Sequence, residues 1–252
     1  VIPIVNFYKF VLMKHLISVI LFLFLFLSNY FISFSQNSAY EFYKSALIND
    51  SQKDYLAALH DLDNAINQKP DYDSAFCLQG FINYKMGENK LAIKLLDKAI
   101  KLNPDYLDAL NGRGIVKAQL KDYISAIKDF NKAIELDPLK PKPYFNRALA
   151  KAHLDDYSSA IQDLDKSISI DKSYINAYYS RAFWKDIAGD YAGSVVDYKK
   201  VIELDPSYRE AYIGLATTMY QHGEKVPACE LLKTAAEKGS IMADELVTKL
   251  CN

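Results

Sequence analysis

A proline returns at a fixed stride. Pro70, Pro104, Pro138 and Pro206 are separated by 34, 34 and 68 residues, and the missing member falls on Lys172, in SIDKSY, which aligns with ELDPSY. A period of this length restricts the fold more than any average property can. It requires one small supersecondary unit, unable to bury its own apolar face, copied so that each leans on the next. Six units fit one register: 39–72, 73–106, 107–140, 141–174, 175–208 and 209–242. Half of the 252 residues are hydrophobic, with only 9 Gly and 8 Pro, which excludes a many-turned all-β chain.

Within a unit the pattern is two amphipathic helices, A and B, around a short turn such as Lys-Asp-Tyr in unit 3. Small residues recur at place 8 (Ala46, Gly80, Gly114, Ala148, Ala182, Ala216) and place 20 (Ala58, Ala92, Ala126, Ala160, Ser194, Ala228). Small side chains let two backbones approach, so helices A and B are expected to touch there. Leu62, Leu96, Phe130, Leu164, Tyr198 and Leu232 fill place 24 and are expected to plug the space between units. Asp-Pro then ends helix B, because the residue before proline is pushed out of the α region. Residues 241–250, IMADELVTKL, read as one more amphipathic helix over the open end, and 243–252 lie beyond the sixth unit.

With the aromatic at place 4 (Phe42, Phe76, Tyr144, Tyr178, Tyr212), Tyr at place 17 and proline at place 32, the chain resembles the tetratricopeptide repeat proteins over residues 39–242. Leu110 at place 4, Ser167 and Val201 at place 27, and Pro227 early in the last helix B depart from that pattern. The resemblance implies an all-α, right-handed superhelical solenoid of six hairpins with a C-terminal capping helix. It also implies a concave groove on the A helices, lined here by Tyr43, Phe81, Tyr84, Asn111, Ile115, Lys142, Phe145, Leu149, Asn176, Tyr179, Phe183 and Tyr220. Such a surface suits a segment presenting apolar anchors. The same stripe can equally serve to pack neighbouring A helices. The Lys- and Asn-based clamp that some members use for a C-terminal carboxylate is not matched, since Lys142 and Asn146 both fall in unit 4.

Arg113, Arg147 and Arg181 recur at place 7, and Asp129, Asp163 and Asp197 at place 23 of the same units. In unit 2 the two places hold Gln79 and Leu95, and in unit 6 they hold Leu215 and Leu231. Charge accompanies charge, so an Arg–Asp ion pair between helices is expected rather than an anion-binding stripe.

Few features suggest chemistry. A phosphate loop, a GxSxG and an HExxH are all missing, and Gly112-Arg-Gly114 lies inside a helix. Asp155-Asp156 reads as turn and cap chemistry. The four histidines have no ligand spacing, so neither metal nor cofactor is expected. Cys77, Cys229 and Cys251 are odd in number and far apart, and are expected as buried or incidental thiols without a disulfide framework. Lys plus Arg total 30 against 31 acids, which offers no basic excess for nucleic acid.

Residues 16–27, LISVILFLFLFL, follow Lys14 and His15 and precede Ser33-Phe34-Ser35, a small-x-small site for a cut before Gln36. Residues 13–35 therefore read as a secretory signal or, uncleaved over 16–34, as a membrane anchor, with 1–12 an upstream extension ahead of Met13. Either way the repeats are expected outside the cytoplasm, in the periplasm or an equivalent space. The expected function is a non-catalytic scaffold or adaptor of the cell envelope that binds a protein or peptide. A membrane-tethered organiser is the alternative, with membrane contact only through 16–34, and self-association is open to a stack with apolar ends.

Overall fold

The computed structural model describes residues 38–251, which carry thirteen helices and no strand among the described residues. The leader expected over 13–35 and the extension before it lie outside the described residues. The helices are α1 (38–51), α2 (Tyr55–Gln68), α3 (Asp73–Lys85), α4 (Asn89–Leu102), α5 (Leu107–Gln119), α6 (Tyr123–Leu136) and α7 (Pro141–Ala152). They continue with α8 (Tyr157–Ile170), α9 (Ile175–Ile187), α10 (Tyr191–Leu204), α11 (Arg209–Gln221), α12 (Lys225–Glu237) and α13 (Ile241–Leu250). They form two compact units, one ending at Pro104 and one beginning at Asp105. The first holds α1 to α4 and the second α5 to α13.

Each hairpin turn is made by a short, repeated device. The residue two before each place-17 position takes a left-handed backbone: Lys53, Lys121 and Asp155 at φ 61–65°, and Gly87, Gly189 and Gly223 at φ 85–90°. Glycine adopts that conformation without steric cost, whereas the three side-chain-bearing residues pay roughly 1–2 kcal/mol each. An aspartate then caps helix B. Asp54, Asp122, Asp156 and Asp190 accept hydrogen bonds from the backbone N–H three residues on, at 2.9–3.2 Å.

The far end of helix B is equally regular. Lys69, Asn103, Asp137, Asp171 and Asp205 all leave the α region at φ between −126° and −145°. Asp171 does so although Lys172 stands where its counterparts precede proline. Its Oδ1 accepts from the N–H and the hydroxyl of Ser173 at 2.9 and 2.6 Å, as Asp205 does from Ser207. This local turn supplies the geometry that proline supplies elsewhere.

The core follows the repeat. Every place-24 side chain, from Leu62 to Leu232, is at most 2% exposed. It packs within its own unit as well as between units, Phe130 clustering with Ala126 and with Ala150 of the next unit, and Leu164 with Ala160 and with Ala177. A Cβ on Gly80 would lie 2.8 Å from Leu96 Cγ, and one on Gly114 would lie 2.5 Å from Phe130 Cε1. Place 24 therefore fills the space over place 8 of its own unit, and glycine stands there because its neighbour is large. Tyr198 of unit 5 also reaches into the next unit, where a Cβ on Gly214 would lie 2.6 Å from its ring.

The C-terminal end corrects the expectation of thiols. Cys229 of α12 and Cys251, just after α13, form a disulfide across 22 residues of sequence. The turn after α12 folds α13 back along it, so residues distant in sequence meet with Cα atoms 5.7 Å apart. Arg209 donates to the carbonyl of Gly239 at 2.9 Å, tying the start of α11 to the same turn. Cys77 is buried in α3 as a thiol.

Candidate peptide-binding groove

Helix A of each unit presents one stripe to helix B and another away from it. On the buried side, Arg113, Arg147 and Arg181 fork onto Asp129, Asp163 and Asp197, with Nε···Oδ2 at 2.8–2.9 Å and Nη2···Oδ1 at 2.6 Å. Lys117, Lys151 and Lys185, one turn on, reach the same carboxylates at 2.7–2.9 Å. The third arm of two arginines crosses to place 25 of the preceding unit: Arg147 Nη1 to Asn131 and Arg181 Nη1 to Asp165, each at 2.6 Å. Burial works against the charge on Arg181, but Asp197 and Asp165 outweigh it and hold the pKa above its ordinary value. These guanidinium groups are structural ties, engaged with carboxylates and therefore not free to bind an anion.

On the other side, the second unit contains a groove of about 470 Å³ between α9 and α11, floored by Tyr198 of α10 and edged by Met242 of α13. Tyr179, Phe183, Asp186 and Ile187 line it from α9; Glu210, Ile213, Gly214, Thr217, Thr218 and Gln221 line it from α11. Apolar side chains stand open in its walls: Phe183 is 44%, Ile187 49% and Met242 62% exposed. Tyr179 is fixed between Tyr198 and Tyr208, at ring-centroid distances of 5.7 and 5.3 Å. Burial, then the neighbouring Tyr179 and Asp186, push the Tyr198 phenol well above its ordinary pKa, so it is a neutral hydroxyl. Glu210 similarly adds to the burial that raises Tyr179.

The groove unites Tyr179 and Phe183, both on the stripe read from sequence, with Asp186, Glu210, Ile213 and Thr217. Other residues of that stripe lie elsewhere. Tyr43 lies tilted against Tyr72 at 5.2 Å, beside the core of the first unit, where Phe81 and Tyr84 are half-buried on α3. Asn111 accepts from Asn146 at 2.9 Å, joining α5 to α7. Ile115 packs on the Phe130 core, and Phe145 lies 5.1 Å from Tyr174. Leu149 is half-buried, while Lys142 and Asn176 are exposed at the starts of α7 and α9. Tyr220 lies under Lys225, whose Nζ is 5.6 Å from its ring.

Tyr198 and Gly214 were not legible as groove residues. The available signal was their coincidence: place 24 carries a phenol in unit 5 alone, and place 6 of the next unit is glycine. Among the described residues no cluster of His, Cys, Asp or Glu could hold a metal ion, and no helix is long and apolar enough to cross a membrane.

Models of the tetratricopeptide repeat match residues 107–138 and 141–174, and a TPR repeat model matches 80–121 and 187–223. No curated protein matches the chain. Among solved structures it is similar to the Pseudomonas aeruginosa PilF protein, at 15% identity and TM-score 0.75, over 85% of this chain and 99% of that one. A tetratricopeptide repeat protein from Parabacteroides merdae aligns at 19% identity and TM-score 0.62, over 86% and 100%. YrrB, described as a TPR protein with an unusual peptide-binding site, aligns at 18% identity and TM-score 0.61, over 75% and 98%. These structural likenesses speak for the fold alone. With matching models spread over just over half of its length, the chain is built of tetratricopeptide repeats and belongs to that family.

Proposed function

We propose that the protein is a non-catalytic scaffold or adaptor that holds a protein or peptide segment on its A-helix face, outside the cytoplasm as part of an envelope assembly. The groove between α9 and α11 carries this reading. Its rigid walls offer open apolar side chains and a few polar groups, the arrangement that recognises a segment through anchors. YrrB, one of the similar structures, is itself described with a peptide-binding site.

The Cys229–Cys251 disulfide supports the location, because such bonds persist in oxidising compartments and are rare in the cytosol. The leader expected at 13–35 points the same way. A photo-crosslinking amino acid at position 183, in the groove, should trap a discrete protein product from intact cells. The same residue at exposed Val196 on α10 should not. Equal labelling from both positions would remove the groove from the reading. Cleavage before Gln36, read by intact mass, separates an exported protein from a tethered organiser.

A further inference from the structure

The charge of the groove restricts what it can hold. Its lining includes two carboxylates, Asp186 and Glu210, and no lysine, arginine or histidine. The two carboxylates do not have the same origin. Glu210 stands in the first turn of α11, where the helix dipole favours an acid. Asp186 stands in the last turn of α9, where the dipole opposes one. Its Oδ1 is also buried and accepts no hydrogen bond among the described residues. A carboxylate oxygen taken from water without a donor is costly, and nothing in the fold offsets that cost. Asp186 itself is half-buried, whereas the buried aspartates of the second unit, Asp129, Asp163 and Asp197, each have both an arginine and a lysine. Tyr198, whose hydroxyl is neutral, lines the same groove.

We infer that the groove takes a peptide segment in which a lysine or arginine neighbours an apolar side chain. The cation pairs electrostatically with the Asp186 and Glu210 carboxylates that line the groove. The apolar neighbour covers Phe183, Ile213 and Met242. This deepens the proposed function and rests on it. A cation alone would leave the apolar walls uncovered, and an apolar segment alone would bury both carboxylates unpaired, which the site would reject.

The test uses three fluorescein-labelled octapeptides with a central Leu-Phe pair flanked by lysine, serine or aspartate, titrated against the purified full chain by anisotropy. The lysine peptide should bind at least tenfold more tightly than the serine peptide, and the aspartate peptide most weakly. Asp186→Asn with Glu210→Gln should erase that order, and Asp186→Lys with Glu210→Lys should invert it. Thermal melts of both variants establish that they fold. Phe183→Ala should weaken all three peptides.

Equal affinities in the wild type, a lysine preference that survives the neutral variant, or no binding by any peptide would overturn the inference. If the order is absent but Phe183→Ala weakens every peptide, the groove still binds segments and only their charge class is wrong. If Phe183→Ala changes nothing, binding is elsewhere and the proposed function falls with the inference.

Discussion

The interior hairpins of the second unit and its last hairpin solve the same packing problem with opposite chemistry. In α5–α6, α7–α8 and α9–α10, places 7 and 23 hold an arginine and an aspartate, with a lysine completing the set. In α11–α12 the same places hold Leu215 and Leu231, Leu215 being 2% exposed within the core. An arginine has more to gain inside the stack, because its third arm finds the preceding unit. The last hairpin also has a preceding unit, but place 25 there is Lys199, which offers an arginine no acceptor; α13 and the disulfide pack against this hairpin. The lesson is that the ion network joins neighbours where place 25 supplies an acceptor, and leucine takes its place where it does not.

The largest expected effect breaks the network. Asp197→Ala leaves Arg181 and Lys185 facing each other without their shared carboxylate, and should cost about 3–5 kcal/mol in urea unfolding. Copying the terminal solution in full, Arg181→Leu and Asp197→Leu with Lys185→Met as at Met219, should recover most of that loss. Failure to recover would mean that the two solutions are not interchangeable.

The tie at the other end comes next. Cys251→Ser reopens a loop of 22 residues, worth about 3 kcal/mol by loop-closure entropy. Amide exchange should accelerate in α12 and α13 and stay unchanged in α5 to α10; a uniform change would deny the end its separate character.

Between the two solutions lies the Tyr198–Gly214 contact. Gly214→Ala forces the phenol to shift and should lower stability by about 1–3 kcal/mol, partly offset by the better helix propensity of alanine. Calorimetry of this variant should show the loss, while an unchanged melting temperature would show that the ring has room to move.

The smallest effect separates the regions by pH. Hydrogen bonds from Ser125 and Ser159 hold the carboxyls of Asp122 and Asp156 below the ordinary carboxylate range. A lowered folded value means a contribution that is present above the ordinary range and is lost as pH falls through the lowered one. Glu224, at the start of α12, makes no such capping bond. Below pH 4, amide exchange at the starts of α6 and α8 should therefore rise, and Asp156→Asn should remove the pH dependence at α8.

Much of this was written in the period. Thirty-four residues of stride, small residues at place 8 and aspartate before proline indicate two helices, their contact and their ends. The turn was harder to read. Place 15 holds Lys53, Gly87, Lys121, Asp155, Gly189 and Gly223, and only the glycines announce a left-handed backbone. The disulfide was illegible, because a linear distance of 22 residues says nothing until α13 turns back. The groove was half legible. Its open stripe follows from helical spacing, but its depth depends on one phenol meeting one glycine from different units, which is a tertiary fact.

The third arm of Arg181, reaching Asp165 16 residues upstream in helix B of the preceding repeat, has a bearing on how such a chain can grow. An insertion or deletion of a few residues would carry the guanidinium past its acceptor. Gain or loss of a complete 34-residue module delivers the next arginine to the previous acceptor unchanged. The bonding pattern thus tolerates changes of length only in whole quanta, and descendants of this gene should differ by entire hairpins rather than by fractions of one.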